Sequence, residues 1–209
     1  MAGGSRDEPD GRVSWLVARG FEPRELIPLA GDVSARRYHR VILPGSESAV
    51  LACYPPEARE VCSRFVTSTT MLQSAGVAVP GILAADCEQG LMLLDDLGEQ
   101  TLYDFADRPW GDLLPFFESA LEIQNRIAEL PREAVAALNP PLDEEPLRRE
   151  LKQTWEIFLS PRGLAGDRSL GRRLRSALDD LCRRLTDQPL RPCHRDFMAR
   201  NLVPVNDSL

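Results

Sequence analysis

His194-Arg195-Asp196-Phe197-Met198-Ala199-Arg200-Asn201 is the stretch that decides how this chain is read. Its pattern is H-R-D-x-x-x-x-N, the spacing of a loop that serves phosphoryl transfer. Such a loop needs a carboxylate to accept the proton of an attacking hydroxyl. Further along it needs an amide oxygen to help hold Mg²⁺ at a nucleoside triphosphate. Asp196 and Asn201 occupy those two places, and His194 and Arg195 are expected to brace the loop rather than react. Leu190-Arg191-Pro192-Cys193, apolar and marked by proline, leads into it.

This spacing belongs to the protein-kinase fold, which also uses a second metal ligand, an Asp on the strand pair after the loop. Beyond Asn201 the only carboxylate side chain is Asp207, in Asn206-Asp207-Ser208, a composition that suits a solvated turn. The sequence is therefore expected to be an N-terminal piece of a kinase-fold protein, C-terminally truncated and lacking that Asp. The expected architecture is α+β and two-lobed, a small antiparallel sheet lobe followed by a mostly helical one.

Upstream, the periodicities agree. Residues 1–12 read as a disordered lead, rich in Gly, Asp and Pro. From Trp15 to Leu97 short β-like runs dominate. Arg37–Leu43 and Ala49–Tyr54 flank the turn-rich Pro44-Gly45-Ser46-Glu47-Ser48, which predicts a hairpin. Pro55-Pro56 opens a helix with Val61, Phe65, Thr69 and Leu72 on one face, closed by Gly76. Ile82–Ala85 and Leu91–Leu94 are further strands, turned by Gln89-Gly90. The period then becomes helical: Asp112 can cap a helix with Leu113, Phe116, Phe117, Ala120, Ile123 and Ile127 inward. Asp143 or Glu144 can start a second, carrying Leu147, Leu151, Trp155 and Phe158, and Asp167 can start a third. The expected domains are 13–98, nucleotide-binding, and 99–209, a partial helical lobe with the catalytic loop.

Gly31-Asp32-Val33-Ser34-Ala35-Arg36-Arg37-Tyr38 sits before the first long strand. A loop there can lay backbone N–H groups and the Ser34 hydroxyl over phosphates, with Gly31 permitting close approach; an ordinary hairpin turn is the alternative. Leu91-Met92-Leu93-Leu94-Asp95-Asp96-Leu97-Gly98 is an apolar strand running into acid and glycine. Adjacent strand residues point opposite ways, so Asp95 and Asp96 do not form a metal pair, and Asp96-Leu97 reads instead as the linker that contacts adenine. The phosphate-gripping Lys is missing: its strand reads Ala49-Val50-Leu51-Ala52-Cys53-Tyr54, and the sole lysine, Lys152, lies in the helical half. Arg36 or Arg37 is the candidate substitute, though the two chemistries are not equivalent. Glu57 or Glu60, which would pair with that Lys, loses its partner too.

Composition sets the outer limits. The 209 residues are 43% hydrophobic and carry a net charge of −7, enough for a real core and without a basic footprint for nucleic acid or an anionic membrane. Cys53, Cys62, Cys87, Cys182 and Cys193 are scattered, which suits reduced, mostly buried thiols better than disulfides or zinc. No signal peptide or bilayer-length apolar run is seen, so a soluble, cytoplasmic protein is expected.

Taken together, Gly31-Asp32-x-Ser34-x-Arg36-Arg37-Tyr38, Leu93-Leu94-Asp95-Asp96-Leu97-Gly98, Leu147-Arg148-Arg149-Glu150-Leu151 and His194-Arg195-Asp196-Phe197-Met198-x-Arg200-Asn201-Leu202 resemble the aminoglycoside phosphotransferase-like superfamily. The nearest resemblance within it is to bacterial cell-wall sugar kinases that phosphorylate the anomeric hydroxyl of N-acetylmuramate and N-acetylglucosamine in peptidoglycan recycling. The resemblance implies ATP and Mg²⁺ as cofactors, Asp196 as base, Asn201 as metal ligand and a small-molecule substrate. It also implies a later Asp-Phe-Gln-Asp segment absent from these residues, so the 209 residues alone are expected to be inactive. Choline, thiamine or an aminoglycoside remain alternative acceptors, and a noncatalytic nucleotide-binding or truncated regulatory module is the alternative class.

Overall fold

The computed structural model describes residues 11–29, 35–164, 168–205 and 209. Gly31, Asp32, Ser34, Asp167 and Asp207 lie outside them. The alternating runs form strands β1 (Glu25–Pro28), β2 (Arg37–Ile42), β3 (Ser48–Cys53), β4 (Ile82–Asp86) and β5 (Leu91–Asp95). They build one sheet in the order β1-β2-β3-β5-β4, with all pairs antiparallel. The hairpin expected around Pro44 joins β2 to β3, pairing Ile42 with Ser48 and Arg37 with Cys53. Gly90 turns β4 into β5 at φ +72, where a Cβ would strike the Tyr54 carbonyl oxygen, so only glycine fits.

Register gives the sheet two apolar faces. On one, Val41, Ala49, Leu51 and Leu93 pack with Trp15 and Leu16. These last two belong to α1 (Gly11–Val17), a short helix where a lead and β-like runs were expected. Its Trp15 and Leu16 close the sheet's outer face, so tertiary burial rather than local propensity makes this helix. On the other face, Ala52, Met92 and Leu94 meet Cys62, Val61 and Phe65 of α2 (Arg59–Ser74), the helix expected after Pro55-Pro56. Leu51 and Leu93 are wholly buried, each worth roughly 1.5–3 kcal/mol relative to exposure.

The expectation of reduced thiols fails at one pair. Cys62 on α2 and Cys87 just beyond β4 form a disulfide, with Cα atoms 5.5 Å apart. Packing of α2 on the sheet brings them together, and their sequence separation of 25 gave no motif to read. Cys182 and Cys193 are free thiols, and Cys53 Sγ lies 4.0 Å from His39 Nδ1.

α3 (Trp110–Ala128) buries Leu113, Phe116, Ala120, Ile123 and Ile127 as its periodicity requires. Phe117, expected inward, is instead 40% exposed and lies against Trp110, ring centroids 5.2 Å apart. Its neighbour Phe116 already points to the core, and successive helical residues diverge around the axis. Arg126 fastens α3 to the end of α2 by donating to the Gly76 carbonyl at 2.5 Å.

The described residues up to Ile127, with those from Cys193 onward, form one compact unit, and Ala128–Pro192 form another. The second holds α4 (Arg132–Leu138), α5 (Glu144–Gln153) and α6 (Arg168–Thr186). Asp143 caps α5, its carboxylate accepting from the Glu145 N–H at 3.2 Å. Residues 154–159 continue as a π-helix, so Trp155 and Phe158 depart from the α-helical spacing expected of them. No helix among the described residues is long and apolar enough to cross a membrane.

Candidate functional site

The catalytic-loop sequence folds into a short, exposed structure held from one side. A 3₁₀ turn, Ala199–Asn201, is closed by the Asn201 N–H donating to Met198 O at 2.8 Å. It returns the Asn201 side chain to Asp196, where the amide nitrogen donates to Asp196 Oδ2 at 2.7 Å and to Asp196 O at 2.9 Å. The two residues picked out by spacing therefore touch. The pairing consumes the amide nitrogen and leaves the amide oxygen, the atom a hard cation prefers. Arg195 has φ 69, the left-handed region that a non-glycine residue rarely adopts and that clusters at functional sites. The His194 ring lies edge-on to Phe197, centroids 5.8 Å apart.

The segment that seats this loop was not singled out from sequence. Leu102 N–H donates to Leu202 O at 2.8 Å, and Ala199 and Leu202 pack on a cluster of Leu102, Leu113 and Phe116. The Arg200 guanidinium lies 3.7 Å over the Tyr103 ring. The 3₁₀ turn Leu102–Phe105 is itself fixed by Asp104, which accepts from the Thr101 N–H at 2.7 Å and the Thr101 hydroxyl at 2.9 Å. These bonds, with the nearby Arg200 charge, hold Asp104 below the usual carboxylate range. Thr101-x-x-Asp104 is a capping-box signature, the signal by which this seat could have been found.

Of the described nucleotide-side candidates, Arg37 starts β2 and Arg36, Asp96 and Leu97 lie beside strand ends of the same unit. Asp95 and Asp96 diverge as expected: Asp95 accepts from the Gly81 N–H at 2.8 Å, and Asp96 turns to β2. There Arg40 grips it with Nε at 2.6 Å from Oδ2 and a second nitrogen 3.3 Å from Oδ1, while Gly98 N–H donates at 2.9 Å. Arg40 also pairs with Glu99. Burial pushes the Asp96 carboxyl up, but hydrogen bonds from Arg40, Gly98 and Ser48 and the Arg40 charge outweigh it, so it titrates below its ordinary value. The Asp96 side chain is thus fully engaged in shaping the turn, and Leu97 follows it partly exposed at 37%.

β3 carries no cation: Ala52 is buried on the α2 face, and Lys152 is on α5, 3.8 Å from Glu156. Arg36 reaches the same face of the sheet, over Tyr38 at 5.8 Å and Tyr54 at 6.0 Å. Burial raises the Tyr54 hydroxyl, Tyr38 adds to this, and a hydrogen bond from Arg36 opposes it. Arg37 is exposed at the start of β2. Glu57 and Glu60 are both exposed beside α2.

With this geometry in place, relatives can be compared. Residues 25–205 match the model of the phosphotransferase enzyme family. The chain belongs to this family. It is 37% identical over 192 residues to a Pseudomonas aeruginosa protein named N-acetylmuramate/N-acetylglucosamine kinase, covering 90% of this chain and 55% of that one. A Pseudomonas putida protein of the same name is 34% identical over 186 residues, covering 85% and 51%. The chain spans about half the length of the curated relatives it matches. Among solved structures, the streptomycin-ATP-APH(2")-IIa ternary complex superposes with a TM-score of 0.65 at 12% identity, over 98% of this chain and 69% of that one. That likeness establishes the kinase-like α+β fold.

Proposed function

We propose that the protein transfers a phosphoryl group from ATP to the anomeric hydroxyl of an amino sugar, N-acetylmuramate or N-acetylglucosamine, in the cytoplasm. The observation that carries this reading is the Asp196–Asn201 pair, 2.7 Å apart on an accessible loop. The names of the relatives at 37% and 34% identity support the acceptor class.

Asp196 accepts the proton as the sugar oxygen attacks the γ-phosphorus; the new O–P bond forms and the bond to the ADP oxygen breaks. An anomeric hydroxyl is more acidic than an ordinary alcohol, so modest basicity at Asp196 suffices. Asn201 holds Asp196 in line and offers its amide oxygen to Mg²⁺. That oxygen is the hard donor type this ion prefers. Mg²⁺ would neutralise charge on the transferring group.

Residues 13–98 would receive the nucleotide: adenine against the backbone of Asp96-Leu97, phosphates under Gly31 and Ser34, with Arg36 or Arg37 supplying the cation that β3 lacks. Because Mg²⁺ draws on a carboxylate as well, residues 1–209 assayed alone are expected to turn over poorly beside the longer protein. A noncatalytic nucleotide-binding module is the second reading, favoured by the cation-free β3.

An ADP-release assay on both forms decides, with N-acetylmuramate, N-acetylglucosamine, choline, thiamine and kanamycin as acceptors. The amino sugars are expected to be best, and to yield the 1-phosphate. Choline or kanamycin as best acceptor overturns the substrate, and no ADP release from the longer protein with any acceptor supports the module.

A further inference from the structure

The helical unit carries a groove of about 570 Å³, within the usual size range of small-ligand sites. Its lining includes Leu151 of α5, Trp155, and Arg175 and Leu178 of α6, with the carboxylates Glu156 and Asp179. The Arg175 guanidinium lies 4.3 Å from the Trp155 ring centroid. Arg175 makes no ion pair among the described residues, whereas Arg148, also in the lining, is held by Glu144 at 2.6 Å and Asp179 at 2.5 Å. The two arginines therefore differ in what they can do. Arg148 is neutralised and raised further in basicity by the hydrogen bonds it donates to Asp179 and then Glu144, so it is a fixed wall. Arg175 is pre-oriented by the aromatic face, yet its in-plane N–H edges stay available. A stacked guanidinium of this kind presents the two-pronged edge that fits a carboxylate.

We propose that this groove binds an amino sugar through an acidic substituent, with Arg175 as the carboxylate-binding residue and Trp155 as its platform. The inference rests on the amino-sugar reading above and deepens it: Arg175 distinguishes N-acetylmuramate, which carries a lactyl carboxylate, from N-acetylglucosamine, which does not. Leu151 and Leu178 offer an apolar surface to the sugar's C–H face and acetyl methyl, and the Arg148–Asp179 pair offers donors and acceptors to its hydroxyls.

The test is direct binding by calorimetry to the 209-residue chain, without nucleotide, so that it does not depend on catalysis. N-acetylmuramate is expected to bind wild type more tightly than N-acetylglucosamine does. Arg175→Gln should weaken N-acetylmuramate about tenfold and leave N-acetylglucosamine unchanged, the scale of one charge-assisted contact. Arg175→Lys should recover part of the loss, and Trp155→Leu should weaken the acidic sugar alone, each with an unaltered circular-dichroism spectrum. N-acetylmuramic acid 1-phosphate in parallel separates an acceptor site, where the free sugar binds better, from a product-sensing one, where the phosphate does; both support the groove. Equal affinity of wild type and Arg175→Gln for N-acetylmuramate overturns the groove while leaving the kinase reading intact. Failure of both sugars to bind wild type overturns the groove, and only the ADP-release assay can then overturn the kinase reading.

Discussion

Two aspartates in the same compact unit have opposite fates. Asp96, with 4% of its side chain exposed, is saturated by Arg40 and the Gly98 N–H. Asp196 stands exposed, steered by one neighbour, Asn201, and otherwise open to solvent. A carboxylate whose lone pairs are all engaged fixes backbone; one held from a single side can take a proton. Burial and partner number, not residue type, separate structure from chemistry here.

The largest effect that would break this contrast is at Asn201. In the phosphoryl-transfer assay proposed above, Asn201→Ala should lower kcat by ~10²-fold or more, because positioning is lost, with thermal stability nearly unchanged. A stability loss comparable to that of an Asp96 variant would show that the loop is structural too. Next is Asp96→Ala, which leaves Arg40 only the exposed Glu99 and should cost about 2–3 kcal/mol by urea unfolding. A cost below about 0.5 kcal/mol would put Asp96 with ordinary surface carboxylates.

Asp96 also gives the contrast a pH signature. Its folded-state pKa is depressed, so its contribution is complete above the unfolded carboxylate value, near 3.9, and is lost as pH falls through the lower folded value. Wild type and Asp96→Asn should therefore differ by a constant amount above about pH 4 and converge as pH falls below it. Parallel curves throughout would remove the carboxylate from the account. The smallest effect is expected at Asp104, where alanine removes the Thr101 bonds under the loop's seat and should lower the unfolding midpoint less than Asp96→Ala does. An accompanying rise in KM for ATP, rather than stability loss alone, would sharpen the link between that turn and the Arg200 platform.

How much of this could be read beforehand depends on the range over which each feature is encoded. The Asp196–Asn201 pair was legible because its parts lie within one turn, and chain geometry closes the contact. β2, β3 and the inner face of α3 were legible because alternation and helical period survive in single segments. α1 was not: a helix of 7 residues takes its identity from the sheet face that Trp15 and Leu16 cover. The Cys62–Cys87 bridge and the Arg40–Asp96 pair join residues that only α2 packing or the β2-β3-β5 order brings together. Phe117 was misplaced because a run of two aromatics satisfies the helical period in either phase. The loop holding Gly31 and Ser34 stays an expectation from sequence, as these residues lie outside the described ones.

The central claim, that Asp196 is the proton acceptor and not a fold determinant, is tested most directly by Asp196→Asn. Asn keeps the shape and the contact with Asn201 but cannot take the proton. Phosphoryl transfer to N-acetylmuramate should fall by ~10²–10⁴-fold, while ATP affinity and unfolding midpoint stay at wild-type values. Turnover above about a tenth of wild type would contradict the assignment, since general-base catalysis is worth far more than that.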